Sequence, residues 1–417
     1  MTTPPNETAQ SNPYAVFRLP NYRRYLVGNV LGIIAHQMMT LAVGWEIYER
    51  TGSKLMLGYI GLAQYLPILL FTLPAGQLAD RFNRKKIMYL TLSMTAVAAL
   101  AMLWISATDG SINIIYACLF LNGLARAIQA PARAAFVTQI VPREIFPNAV
   151  AWGSNSFELA TITGPALGGA IIAFFGKPTG VYLVTAVCSL VYLILLIGIQ
   201  VGTPHDHREP IRLEGLIAGL KFVWNTKVMV ASITLDLFAV LLGGAVTLLP
   251  IYAKDILQVG PTGLGWMRAA PSVGAVLTAL YITHRPPMQK AGRSLMLSVI
   301  GFGGATIFFG LSRSFWLSML MLMLIGAFDS VSVIIRHTLV QLLTPDEMRG
   351  RVSAINSLFI GTSNELGGYE SGVVAEYFGT VASVVSGGIG TLLVVLMVGT
   401  VWPQLRKHGA LVTKAKQ

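Results

Sequence analysis

Twelve apolar segments, each long enough to cross a bilayer, leave this chain few choices of fold. They fall at roughly 24–48, 57–80, 84–107, 112–134, 149–175, 179–202, 228–254, 262–284, 292–312, 315–342, 352–378 and 381–403. A helix rises 1.5 Å per residue, so about 20 residues span the ~30 Å hydrocarbon layer. Inside lipid every peptide group needs an internal partner, which leaves only helices or a closed barrel. Segments of this length are helices. Charged residues make up 12 % of the 417-residue chain, against ~25 % in soluble proteins, and 54 % of residues are hydrophobic. The expected fold class is an all-α polytopic membrane protein.

The net charge of +12 raises nucleic acid as a partner until the basic residues are placed. With a cytoplasmic N-terminus, 22 Lys and Arg lie in loops and tails on the cytoplasmic side and 5 on the other, while Arg126, Arg268 and Arg336 fall inside segments. That asymmetry sets orientation by the positive-inside rule and makes nucleic-acid binding unnecessary. Both termini and the connector between halves are expected to be cytoplasmic. Residues 1–16 are polar and do not resemble a cleavable leader. Cys118 and Cys188 both sit in apolar segments and read as small core residues, not a disulfide or metal site.

The chain also repeats itself. Pro142, Ala151, Gly164, Gly169, Phe175 and Gly176 recur as Pro345, Ala354, Gly367, Gly372, Phe378 and Gly379, at a constant offset of 203; Gly123 and Gly326 keep it too. A duplicated six-helix unit follows. The expected organisation is a tail (1–23), an N-terminal six-helix bundle (24–202), a linker (203–227), a C-terminal six-helix bundle (228–403) and a tail (404–417). Leu213 to Trp224 in the linker reads as an amphipathic helix on the membrane surface.

Between the second and third segments runs Gly76-Gln-Leu-Ala-Asp80-Arg81-Phe-Asn-Arg84-Lys85-Lys86. Gly76 allows close helix approach. Asp80 stands at a helix end among four basic residues. Asn83 is tolerant of a left-handed turn. This pattern resembles the loop signature of the major facilitator superfamily, which has glycine where Asn83 stands. Trp45-Glu-Ile-Tyr-Glu-Arg-Thr-Gly-Ser, Pro131-Ala-Arg133-Ala-Ala-Phe, Arg349-Gly-Arg351-Val-Ser-Ala-Ile-Asn356 and Asn364-Glu365-Leu-Gly367 resemble its enterobactin-exporter branch, and macrolide-efflux proteins are similar. Gly164-Pro165-Ala-Leu-Gly168-Gly169 resembles the motif of the superfamily's drug/proton antiporters. Its Pro165 invites a kink, and Gly164 and Gly168 form a close-packing face, so plain helix packing explains the same residues.

Ionisable groups inside the bilayer are expensive and mark functional candidates. Counted along each helix, Glu158 lies about 14 Å into the fifth segment, Asp236 about 12 Å into the seventh and Glu365 about 20 Å into the eleventh. Arg126 and Asp329 each lie about 21 Å into the fourth and tenth, and are themselves 203 apart. Glu158, Asp236, Asp329 and Glu365 are candidate proton carriers, with Arg126 a charge partner for Asp329; local structural ion pairs are the competing explanation. Arg268 and Arg336, nearer helix ends, read as snorkelling residues. There is no P-loop and no metal-ligand spacing, so no enzyme, no cofactor and no metal is expected. The resemblance implies a proton-coupled exporter of small amphipathic molecules, acting as a monomer by alternating access in a bacterial inner membrane. An importer or lipid flippase of the same fold, or a non-transporting sensor or scaffold, remains the alternative.

Overall fold

The computed structural model describes residues 12–201, 213–286, 288–406 and 409. After a one-turn 3-10 helix at Ala15–Arg18, six helices follow: α1 (Pro20–Thr51), α2 (Lys54–Arg81), α3 (Arg84–Ala107), α4 (Ile112–Ile140), α5 (Phe146–Phe175) and α6 (Thr179–Ile197). Next come α7 (Leu213–Asn225) and α8 (Lys227–Leu242), a 3-10 turn, a single turn α9 (Leu249–Ile251), and a π-turn at Tyr252–Ile256. The rest are α10 (Gly260–Thr283), α11 (Ala291–Leu311), α12 (Phe315–Leu343), α13 (Arg349–Phe378), α14 (Thr380–Val401) and a short α15 (Pro403–Arg406). The duplication is visible residue for residue: α4 maps on α12 and α5 on α13 at the same offset of 203, including the 3-10 turns before them, Arg143–Ile145 and Asp346–Met348.

Ten helical stretches among the described residues have both the length and the hydropathy to cross a membrane. The other two long helices, α10 and α13, are 24 and 30 residues long. They are long enough to span, at about 36 Å and 45 Å. Their composition is more polar: α13 carries Arg349, Arg351, Glu365, Glu370 and Glu376. Large apolar side chains face outward, among them Trp104 (67 % exposed), Phe174 (84 %) and Trp316 (79 %). A water-soluble protein does not display apolar surface on this scale; lipid covers it. The chain is an all-α polytopic membrane protein.

The seventh span, expected as one helix over 228–254, is broken. α8 stops at Leu242, and Gly243–Gly244 lead into the 3-10, α and π turns. The Gly-Gly pair has no side chains to hold a helix, and Pro250 lacks an amide donor.

Contacts divide the chain into two compact units, residues 1–43 with 66–210 and residues 44–65 with 211–417. The division falls within α1, after Val43, and within α2, after Tyr65. In the first unit α3 packs on both α4 and α6. One end is sealed by Val16, Tyr22, Tyr25, Met88, Phe136 and Tyr192, all buried. Residues 12–18 are strapped across the start of α5: Asn148 Nδ2 donates to the Asn12 carbonyl (3.0 Å) and Trp152 Nε1 to the Pro13 carbonyl (2.9 Å). The antiporter-like stretch of α5 packs on α1. A Cβ placed at Gly164 would lie 2.6 Å from Gln37 Cβ, and one at Gly168 3.2 Å from Met38 Cα. Gly76 is different. A Cβ there meets nothing within 4 Å, so the expected close approach does not occur.

In the second unit α11 packs on α12 and α14, the pattern α3 makes in the first. The core is Leu235, Leu295, Val299, Ile335, Leu339 and Val395. α7, the expected amphipathic linker helix, lies against α13, with Trp224 75 % exposed. Residues 54–65 of α2 run antiparallel along α13. Lys54 and Leu55 amides donate to Glu376 Oε2 (2.8 and 3.1 Å), and Lys54 Nζ donates to the Ala375 carbonyl (3.2 Å). One turn further along α2 the backbones nearly touch, since a Cβ on Gly372 would lie 3.0 Å from Gly58 Cα. Tyr65 Oη closes this seam on the Leu358 carbonyl (3.1 Å) and Thr362 Oγ1 (3.0 Å).

These contacts separate two glycines that look alike in sequence. Gly164→Val forces a side chain into the α1 backbone and is expected to lower stability by about 1–3 kcal/mol, whereas Gly76→Val has room. Thermal unfolding of the two purified variants in detergent should show a clear loss for the first and little change for the second. Equal losses would contradict the packing assigned to Gly164.

Candidate functional site

The basic loop is a device for finishing helices. α2 ends at Arg81, and the next helix is capped by Asn83, whose Oδ1 accepts from the amides of Lys85 (2.9 Å) and Lys86 (3.4 Å). Asn83 is extended, with φ −64° and ψ 117°. The left-handed turn expected for it does not form, because N-capping is the stronger use of a short amide side chain. Lys85 Nζ donates to the carbonyls of Ile197 (3.2 Å) and Ile199 (2.7 Å). Arg24 Nη1 donates to the Gly198 carbonyl beside them. Two cations thus sit on the negative C-terminal end of α6, where the helix dipole favours them. Arg84 and Arg81 flank this site, and Asp80 occupies the last turn of α2, its side chain outside the described ones. Sequence reasoning missed Arg24, which carries no motif.

Within the second unit, Asp236 of α8 is 6 % exposed and makes an ion pair with Arg336 Nη1 of α12, itself 3 % exposed. Arg336 is therefore no snorkelling residue: it is buried in the bundle core beside Ile335 and Leu339. Its Nε donates to Ser332 Oγ at 3.3 Å. Asp329, one helical turn before Ser332, lines the same narrow cavity as Asp236, with Val240, Val299, Phe302 and Phe328 around them. The spacing Asp329, Ser332, Arg336 is i, i+3, i+7, one face of α12, a pattern that could have revealed this cluster but did not enter the sequence reading.

The other candidates are placed separately. Glu158 is exposed on α5, in the first unit, and its backbone carbonyl accepts from Thr161 Oγ1 at 2.7 Å. Arg126 of α4 also belongs to the first unit, whereas Asp329 belongs to the second; the charge partner described for this carboxylate cluster is Arg336. Glu365 lies on the seam, where a Cβ at Gly61 would come within 2.4 Å of its Oε2, and it interacts electrostatically with Arg268 of α10. Near the end of α1, Tyr48 Oη donates to the Asp255 carboxylate, and Lys254 Nζ stands 5.7 Å from the Tyr48 ring centre. Glu46, 2 % exposed, is 3.1 Å from Arg50 Nη1, one turn on.

The energetics of the Asp236–Arg336 pair are asymmetric. Removing one partner strands a buried charge, at about 3–5 kcal/mol, whereas removing both does not. Arg336→Gln is expected to lower thermal stability strongly, Asp236→Asn less because Arg336 can turn to Asp329 on the same cavity, and the double variant to recover most of the Arg336→Gln loss. Additive losses in the double variant would show that the two side chains do not act as a pair.

Comparison with known proteins bears on what such an arrangement serves. The MFS family model for transmembrane secretion effectors matches residues 11–415. The enterobactin exporter EntS of Shigella boydii serotype 4 is 24 % identical over 393 residues, 93 % of each chain. EntS of Escherichia coli O1:K1 is similar to the same extent. Among solved structures, a bacterial homolog of the human lysosomal transporter Spinster superposes with TM-score 0.73 at 15 % identity, covering 97 % of this chain and all of that one. The nucleoside transporter NupG does so with TM-score 0.72 at 14 % identity, covering 93 % of this chain and 99 % of the other. The matching fold, the duplicated helices and the family match over nearly the whole length make this chain a transporter of the major facilitator superfamily, in its transmembrane secretion effector family.

Proposed function

We propose that this chain is a proton-driven exporter of small amphipathic molecules, of siderophore or drug type. It works as a monomer by alternating access in a bacterial inner membrane, with both termini cytoplasmic. The observation that carries the reading is the likeness to enterobactin exporters over 93 % of both chains. The surplus of basic residues in alternate loops supports the orientation. Buried carboxylates in the spans supply groups that bind and release a proton.

Two features fit alternating access. The α2–α13 seam is closed by glycine contacts, a few hydrogen bonds and one tilted aromatic pair, Tyr59 with Tyr369 at 5.6 Å, a small set of contacts for a carrier to break and remake. The basic loop, with Asp80 at its entrance, is the corresponding lock at the other end of α2; there the resemblance to the superfamily signature gives Asp80 its role.

The reading is tested in inside-out vesicles from cells making the protein, with ethidium and a catecholate siderophore as probes. A pH difference of one unit, acid inside, is expected to drive uptake of at least one of them. At one proton per molecule the accumulation approaches about tenfold. A protonophore should abolish it. Uptake above empty-vector vesicles that ignores the protonophore would contradict proton coupling, and no uptake or exchange of either probe would contradict the exporter reading for these classes.

A further inference from the structure

We propose that Arg336 is a positioning residue that holds Asp236 ionised and so assigns the transported proton to Asp329. The inference rests on the proton-driven reading above and deepens it. The cluster has two carboxylates and one guanidinium, and with all three ionised its charge is −1. Arg336 is committed to Asp236 through Nη1 and to Ser332 Oγ through Nε. Asp329 has no hydrogen bond or ion pair among the described residues, and feels Arg336 only at longer range. A half-buried carboxylate on a narrow, mostly apolar cavity without a close counter-charge is the group that gains most from a proton.

Among the described residues, the elements packed around Asp329 bring no other cation to it. From α8 it faces Asp236, and from α11 the walls are Val299 and Phe302. The face of α10 against α12 is built from Pro271, Gly274 and Ala275, while its Arg268 engages Glu365 of α13. On α12 itself the charged neighbours are Arg336 and His337, and Arg336 lies two turns away on the same face. Binding is a simple acid–base step. A proton adds to an Asp329 carboxylate oxygen, the cluster goes from −1 to neutral, and the same O–H bond gives the proton up on the other side of the cycle. Protonating Asp236 instead would leave Arg336 facing an empty partner until it swung to Asp329.

The experiment follows the infrared band of protonated carboxyl groups against pH, with the full-length protein in lipid vesicles, so that no substrate is needed. The wild type is expected to show a titrating buried carboxyl that disappears in Asp329→Asn. In Asp236→Asn the freed Arg336 turns to Asp329, and the band should persist with its midpoint lowered by at least one pH unit, a tenfold loss of proton affinity. Arg336→Lys should keep the wild-type midpoint closely, and Arg336→Gln should raise it. A band that survives Asp329→Asn but vanishes in Asp236→Asn would put the proton on Asp236. An unchanged midpoint in Arg336→Gln would remove its positioning role. Size-exclusion profiles identify variants that fail to fold, and Arg336→Lys with Asp236→Asn then carry the test. If wild-type uptake of ethidium ignores a protonophore, the functional reading fails; if uptake responds and the band behaves otherwise than described, only this assignment fails.

Discussion

A peptide group without a hydrogen bond in hydrocarbon costs several kcal/mol, and most of this structure follows from avoiding that cost. Where the chain stays helical the problem is solved within each segment. Where it does not, other partners appear. At the break after α8, the amide of Ala245 bonds back to the Gly243 carbonyl (2.7 Å), and that of Leu257 reaches the Tyr252 carbonyl (2.8 Å) to form the π-turn. Helix ends are finished by charge: Lys85 and Arg24 on the last carbonyls of α6, Glu376 on the first amides of α2. Buried hydroxyls use backbone carbonyls, some in their own helix, as Thr391 does with Gly387 (3.0 Å), and some in a neighbour, as Thr185 does with Ala35 (3.3 Å).

Against this background the buried ion pair is conspicuous. Asp236 and Arg336 are not needed to satisfy the backbone, and a packed apolar pair would stabilise the bundle as well or better. The duplication sharpens the point. α4 and α12 have matching bounds and matching glycines, yet position 126 is Arg and its counterpart 329 is Asp. The backbone kept its symmetry while the charges at this pair of positions differ in sign.

Much of the fold was legible in the sequence because hydrocarbon imposes a length and a composition. The long helices stand where apolar runs predicted them, with ends shifted by a few residues, and the offset of 203 foretold matching elements. The departures have physical causes. The seventh span is broken because Gly243, Gly244 and Pro250 cluster within it, a signal hidden by its uniform hydropathy. Asn83 was read through its backbone tolerance when its side chain mattered more. Gly76 was credited with a contact that only three dimensions can show. Arg336 reads as a snorkelling residue from its position along the helix, but its burial depends on α8 and α11 packing around α12. Glu376 lies in no motif and Tyr48 lies in one that does not name its partner, since both partners are hundreds of residues away.

The central claim is that the α2–α13 seam opens and closes as the carrier works. It is tested most directly by spin labels at Ser53 and Tyr377, in a protein whose Cys118 and Cys188 are replaced by alanine, with the distance distribution measured in lipid nanodiscs. The account predicts two populations, a short one matching the closed seam and a longer one, with Glu376→Gln shifting molecules to the longer distance by removing the full charge at the α2 N-terminus. One short distance, unchanged by that substitution and by pH in a protein still able to export, would contradict it.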